Sequence, residues 1–151
     1  MAKVLICRGI PACGKSTYSK EWVLDGPNRM RVCRDEIRQQ VFGVDYGCDE
    51  DMVSRLEKDI IRRGLFNGYD VIVDATNINV KFLANLVRFA SNLVILTSDI
   101  VLLPFPVYLD EALRRNAARD RVVPEEVIRR MSLDLDESIN LTVNDLLEME
   151  F

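Results

Sequence analysis

The chain has 151 residues, 48% of them hydrophobic and 29% charged, a size and composition that suit one globular domain around a single core. No run of eighteen apolar residues occurs and the N-terminus enters a strand without a signal-like segment, which excludes a helical membrane span and predicts a cytoplasmic protein. The net charge of −4 disfavours tight non-specific binding to DNA. Six acidic side chains lie in residues 132–151, however, and the other 131 residues carry 20 basic against 18 acidic groups, which leaves room for a local phosphate site.

The first predicted element is a buried strand at about 3–8, the apolar run Lys3-Val4-Leu5-Ile6-Cys7, followed by a helix over 15–24 that Asp25-Gly26-Pro27 stops. A second strand, Met30 to Arg34, leads into Asp35 and a short helix that Gly43 ends. After a loop at 43–47, Asp49 is placed to cap a long helix reaching Phe66, with Asn67-Gly68 as its stop. Tyr69 to Asp74 is a third strand. Asn79 can cap a helix whose apolar positions Phe82, Leu83, Leu86, Val87, Ala90, Leu93 and Val94 keep helical spacing.

Ile100 to Phe105 is a fourth strand, and 93–97 could add a fifth. A helix near 108–116, an arginine-rich turn and a last helix opened by Pro124-Glu125-Glu126 complete the order. Strands alternating with helices predict an α/β three-layer fold, a four- or five-stranded parallel sheet with helices on both faces. Ligands of such sheets sit beyond the carboxyl ends of the strands.

The strongest motif stands at the first strand end. Gly9-Ile10-Pro11-Ala12-Cys13-Gly14-Lys15-Ser16 matches the P-loop pattern G-x-x-x-x-G-K-[ST], with a strand before it and a helix, starting through Thr17, after it. Loop N–H groups and the helix dipole point at one anion, Lys15 reaches the β- and γ-phosphates, and Ser16 ligates Mg²⁺. A site for a nucleoside triphosphate follows.

Two further clusters sit at strand ends and one on a helix end. Asp35 and Arg38 share a helical face, where a carboxylate could take the proton of an attacking hydroxyl and an arginine could hold a substrate phosphate. Asp74-Ala75-Thr76-Asn77-Ile78-Asn79 follows the third strand. Arg114, Arg115, Arg119 and Arg121 crowd eight residues, which repel one another unless an anion spans them; a lid over 114–124 closing on a triphosphate would supply one. Fifteen of the twenty basic residues are arginine, the side chain best shaped for phosphate. Cys7, Cys13, Cys33 and Cys48 form no C-x-x-C pair and no histidine occurs, so a zinc site is not expected.

Together these blocks, Gly9 to Ser16, Arg34-Asp35-Glu36-Ile37-Arg38-Gln39, Asp74 to Asn79 and Arg115-Asn116-Ala117-Ala118-Arg119 with Pro124, resemble the 5′-hydroxyl polynucleotide kinase domain of bacteriophage end-healing enzymes over about residues 3–132. The resemblance implies a P-loop kinase using ATP and Mg²⁺ on 5′-hydroxyl ends of DNA or RNA, in the host cytoplasm if phage-encoded. It implies Asp35 as general base, Arg38 on the acceptor's 3′-phosphate and Arg119 on the transferring phosphate. Asp74, Thr76 and Asn77 are further acceptor candidates, and Arg115, Asn116 and Arg121 further candidates for ATP. The chain departs from the phage pattern at Ala75, where the aspartate stands one place earlier as Asp74, and its lid is one residue shorter.

Asp134-Leu135-Asp136-Glu137-Ser138 echoes the phosphatase motif of those enzymes but lacks a preceding strand, so one kinase domain over 1–151 and no phosphatase domain is the expectation. The apolar residues of the helical segment at 124–151 either close the domain or build a homo-oligomer. Two other functions fit the same scaffold: phosphorylation of a small metabolite or nucleoside, and a non-catalytic NTP-binding or toxin-related module.

Overall fold

The computed structural model describes residues 2–151. Four strands, β1 (Val4–Arg8), β2 (Arg29–Cys33), β3 (Asp70–Asp74) and β4 (Ile100–Pro104), form one parallel sheet in the order β2-β3-β1-β4. Seven α-helices accompany them: α1 (Lys15–Leu24), α2 (Arg34–Ile37), α3 (Glu50–Phe66), α4 (Val80–Ser91), α5 (Leu109–Ala117), α6 (Glu125–Ser138) and α7 (Val143–Glu148). The expected three-layer P-loop kinase fold is present, with four strands among the described residues.

The core explains the arrangement. Val4 and Ile6 of β1 stand opposite Val71 and Val73 of β3, and all four are fully buried with Val53 and Ile61 of α3, Leu83 and Val87 of α4 and Leu146 of α7. Burying each such side chain contributes roughly 1.5–3 kcal/mol, so this is where the sheet and its helices are fixed. A smaller cluster, Ile10, Cys13, Ile78, Ala112, Ile128 and Leu135, attaches the P-loop to α5 and α6.

Local chemistry sets the boundaries. Asp49 caps α3 and Asn79 caps α4 by accepting from the backbone N–H of Met52 and Phe82, both at 3.1 Å. Gly43 and Gly68 take left-handed φ angles of 70° and 81°, where L side chains are strained; Gly43 closes the π-helical turn after α2, and Gly68 lies just past the end of α3. Between Ile37 and Gly43 the helix widens into a π-helical turn, Arg38–Phe42.

Three expectations are corrected. Residues 93–97 form no strand: α4 ends at Ser91, and a turn with a 3₁₀ segment at Thr97–Asp99 leads into β4, so Leu93 and Val94 lie outside the helix. Phe82 keeps helical spacing yet is largely exposed on the first turn of α4. The final helix is two helices, because Thr142 and Asp145 form a reciprocal capping box that starts α7 anew. Asp35 lies in the first turn of α2, whose N-cap is Cys33, without a side-chain bond.

The apolar C-terminal residues pack inward: Leu146 is fully buried, Leu141, Val143 and Leu147 lie against the main cluster and Ile139 against the smaller one, while Phe151 stays exposed. Asp134 and Asp136 lie on α6.

Candidate active site

Because β1 leads away through α1 to one edge of the sheet and β3 through α4 toward the other, the loops after β1 and β3 diverge, and the crevice between them is the switch point where α/β sheets bind ligands. The two loops are stitched together there. The Gly9 N–H donates to the carbonyl of Thr76 at 3.1 Å, and the Asn77 amide donates to the carbonyl of Cys7 at 2.8 Å. Above them opens a cavity of about 1120 Å³, bordered by the P-loop, Asp35, Arg38, the 45–50 segment, Asp74, Thr76 and the turn between α5 and α6.

In the P-loop, Ala12 and Gly14 adopt positive φ, 65° and 98°, a sequence of turns that lets successive N–H groups face inward. A Cβ built on Gly14 would meet nothing within 4 Å, whereas one on Gly9 would strike Cys13 Sγ at 2.5 Å, so the first glycine is needed for packing and the second for backbone conformation. Lys15 is buried, its ammonium donating to the Ile10 carbonyl at 2.9 Å and to Cys13 Sγ at 3.4 Å. It is thus held inside the curve of the loop. Ser16 and Thr17 border the cavity just beyond.

Asp74, only 2% exposed, is engaged from below. Its Oδ2 accepts from Ser19 Oγ at 3.0 Å and from Arg31 Nε and Nη2 at 3.0 and 2.6 Å. Burial by itself would lower the Arg31 pKa, but its hydrogen bonds to Glu36 and Asp74 raise it. Ser19 also donates to the Ser16 carbonyl, which ties the start of α1 to Asp74. The Ser16 hydroxyl and the Asp74 carboxylate are hard oxygen donors of the kind Mg²⁺ takes, and no cluster of three or more His, Cys, Asp or Glu suits another metal among the described residues.

At the other end a chain of ion pairs runs across the mouth. Arg38 donates to Glu50 through Nε (2.8 Å) and Nη2 (2.6 Å) and to Asp35 Oδ1 through Nη1 (2.7 Å). Arg121 reaches over from the α5–α6 turn to Asp35 Oδ2 at 3.3 Å and to Asp45 at 3.4 Å. Hydrogen bonds from Arg38 pull the Glu50 carboxyl down to about 2, and the same bonds raise Arg38. Behind them Arg34 bonds Ser54, Glu50 and the buried Glu57, whose carboxyl is pushed up by burial and whose Oε2 has no partner.

Of the residues singled out in the sequence, Lys15, Ser16, Asp35, Arg38, Asp74, Thr76, Arg115, Arg119 and Arg121 all border this one cavity. Gly9, Ile10, Asn77, Arg114 and Asn116 do not. The Asn77 amide serves the Cys7 carbonyl, and the Asn116 amide clasps Val123 from both ends, donating to its carbonyl at 2.7 Å and accepting from its N–H at 3.0 Å. Asn116 therefore shapes the arginine turn, and it positions Arg119, which donates to its Oδ1.

Sequence reasoning missed Asp45, Glu50 and Arg31, whose roles depend on partners brought up by folding. It also missed Arg8, 1% exposed, whose guanidinium donates to the Asn77 carbonyl and to the carbonyl and hydroxyl of Ser138. The four cysteines are free: three are buried and Cys48 lies in the loop, with burial pushing Cys7 up to about 12.

A sequence model of the AAA domain family matches residues 4–137. Among solved structures, the fold is similar to a chain of the Pnkp1/Rnl/Hen1 RNA repair complex, with TM-score 0.81 and 24% identity over 91% of this chain and 45% of that one. A chain of another Pnkp1/Rnl/Hen1 complex is 28% identical, with TM-score 0.68, over 76% of this chain and 39% of that one. A gluconokinase from Sinorhizobium meliloti 1021 shares the fold at TM-score 0.57 and 12% identity, over 96% of this chain and 87% of that one. The chain thus spans less than half the length of the RNA repair chains it matches. A nucleotide-binding P-loop on a kinase fold, similar to a component of an RNA repair assembly, accords with the family resemblance carried by the sequence motifs.

Proposed function

From its membership in the AAA domain family, with a P-loop kinase fold, we propose that the protein transfers the γ-phosphate of ATP to the 5′-hydroxyl end of DNA or RNA. The observation that carries this reading is the meeting, in one cavity, of a phosphate-binding loop, the Asp35–Arg38 pair and the arginines of the α5–α6 turn. The donor's phosphates lie on the P-loop amides and Lys15. Ser16 and Asp74 would hold Mg²⁺, which would supply charge neutralisation to the phosphates.

Asp35 accepts the proton of the attacking hydroxyl on Oδ2, the oxygen held by the longer contact to Arg121, while Arg38 fixes Oδ1. Arg119 and Arg121 then turn to the charge of the transferring group as a lid over 114–124. Of the five N–H groups of Arg38, Glu50 and Asp35 take three, so two remain to hold the acceptor's 3′-phosphate.

A second reading, phosphorylation of a small hydroxylated metabolite, has one observation in its favour: Arg38 is already charge-balanced by two carboxylates. Transfer of label from γ-labelled ATP to 5′-hydroxyl oligonucleotides, nucleoside 3′-phosphates, bare nucleosides and sugar acids decides between them. Preference for acceptors bearing a 3′-phosphate supports end phosphorylation; best activity on a bare nucleoside or sugar acid overturns it.

A further inference from the structure

Tyr46 is 84% exposed on the loop between the π-helical turn and α3, and it borders the same cavity as Asp35 and Arg38. A single exposed aromatic needs no explanation in itself. Its setting does. Gly47 beside it takes a left-handed φ of 79°, and the carboxylate of Asp45 is gripped from two sides, by the Gln39 amide and by Arg121 of the α5–α6 turn. The backbone that carries the ring is thereby anchored on one wall of the cavity and tethered to the other, while the ring itself is left free. Val122 and Val127, both exposed, and Met131 give the cavity apolar surface from the α5–α6 side. Apolar groups from two separate elements therefore border the cavity alongside the ion pairs of Asp35, Arg38 and Arg121.

We infer that Tyr46 is an acceptor-specificity residue whose ring stacks on the nucleobase of the nucleotide being phosphorylated, beside the Asp35–Arg38 pair. The inference rests on the end-phosphorylation reading and adds the recognition of a base to it. Every base offers a π-face, so a stacking contact selects nucleotides over plain sugars without selecting a sequence. That suits a protein whose net charge of −4 gives it no positive surplus for tracking a long backbone.

The test compares two dinucleotide acceptors that differ only at the 5′-terminal residue, a normal nucleoside in one and a tetrahydrofuran abasic residue in the other. Wild-type kcat/KM should favour the base-bearing acceptor about tenfold, within the range that one base–aromatic stack contributes. Tyr46→Ala should bring the ratio of the two toward one, and Tyr46→Phe and Tyr46→Trp should keep it. Equal wild-type rates on the two acceptors would overturn the inference and leave end phosphorylation standing. So would a Tyr46→Phe variant as impaired as Tyr46→Ala, or a Tyr46→Ala effect confined to the KM for ATP. If wild type phosphorylates neither dinucleotide while using a small metabolite, the end-phosphorylation reading falls and this inference falls with it.

Discussion

Arg38 and Glu50, twelve residues apart in sequence, form a two-point ion pair at 2.6 and 2.8 Å, and the same guanidinium holds Asp35 at 2.7 Å. The first turn of α3 therefore fixes the geometry of α2 across the cavity mouth. Planar two-point contacts of this kind hold a guanidinium in place as well as balancing its charge. Glu50 is about half exposed, so its contribution to stability is screened; its effect on where Arg38 points is not.

The pair has a pH signature. The folded Glu50 carboxyl, held at about 2 against an ordinary 4.5, favours the folded state fully above 4.5, and that contribution is lost as pH falls from 4.5 through about 2. Glu50→Gln removes the titration and keeps the shape. Urea midpoints of wild type and Glu50→Gln, measured from pH 7 to pH 2.5, should differ most near neutrality and converge on acidification. A gap that stays constant with pH would show that Glu50 is not linked to stability in this way.

Lys15→Ala should leave the fold intact and abolish turnover. Its ammonium bonds only the loop it belongs to, so few tertiary contacts are lost. Removing a group that stabilises developing phosphate charge costs at least ~2.7 kcal/mol in the transition state. kcat should fall by more than about a hundredfold with an unchanged far-UV spectrum. Retention of a tenth of wild-type turnover would remove Lys15 from the catalytic machinery.

Asp35→Asn isolates proton acceptance. Asp35 caps no helix and is half exposed, so the amide should fold normally. A loss of roughly 10²–10⁴ in kcat is expected of a general base, with the KM for ATP little changed. Parallel losses in ATP affinity and turnover would make Asp35 an anchor for Arg38 and Arg121 instead.

The parts of this site that could be read from the sequence are those written into contiguous residues. The P-loop, the spacing of Asp35 and Arg38, and the caps Asp49 and Asn79 act over at most eight positions, and each lies where its local chemistry places it. What could not be read depends on distant partners. Asp74 looks like an exposed strand-end carboxylate until Arg31, 43 residues away, is found against it. Asn116 looks like a base-contacting amide until the chain turns back to place Val123 on both its ends. Arg8 ends an apolar strand pattern that says nothing of its burial, and its partner Ser138 lies 130 residues on.

That last contact should be measurable in stability. Arg8 is buried without a carboxylate among its hydrogen-bond partners, and burial lowers its pKa, so its charge is held by the Ser138 hydroxyl and two carbonyls. Ser138→Ala removes one of these acceptors and should cost about 1–3 kcal/mol, the range for a hydrogen bond to a charged group. Arg8→Ala strips all three and opens a cavity, so it should cost more. Chemical denaturation of both variants checks the order; an Arg8→Ala protein as stable as wild type would mean the guanidinium does not join β1 to α6.

The choice of acceptor turns on Arg38. If its two remaining N–H groups clamp the phosphate 3′ to the attacked sugar, a nucleoside 3′-phosphate should exceed a bare nucleoside by roughly ten- to hundredfold in kcat/KM, the equivalent of about 1.5–3 kcal/mol. Arg38→Ala should erase that preference. Part of its effect will come through Glu50 and Asp35, which lose their shared cation, so Glu50→Gln is the control: it frees Arg38 of one carboxylate and should preserve or increase the 3′-phosphate preference. Nucleotides further along the strand should add little, because the neighbouring hollow that shares Thr76, Val127 and Met131 with the cavity carries Glu126 and Asp134 beside a single cation, Arg130. A dinucleotide should therefore approach the rate of a long oligomer, with a shallow dependence on salt. Rates that climb steadily with acceptor length would place a backbone-tracking surface elsewhere on the protein and overturn this prediction.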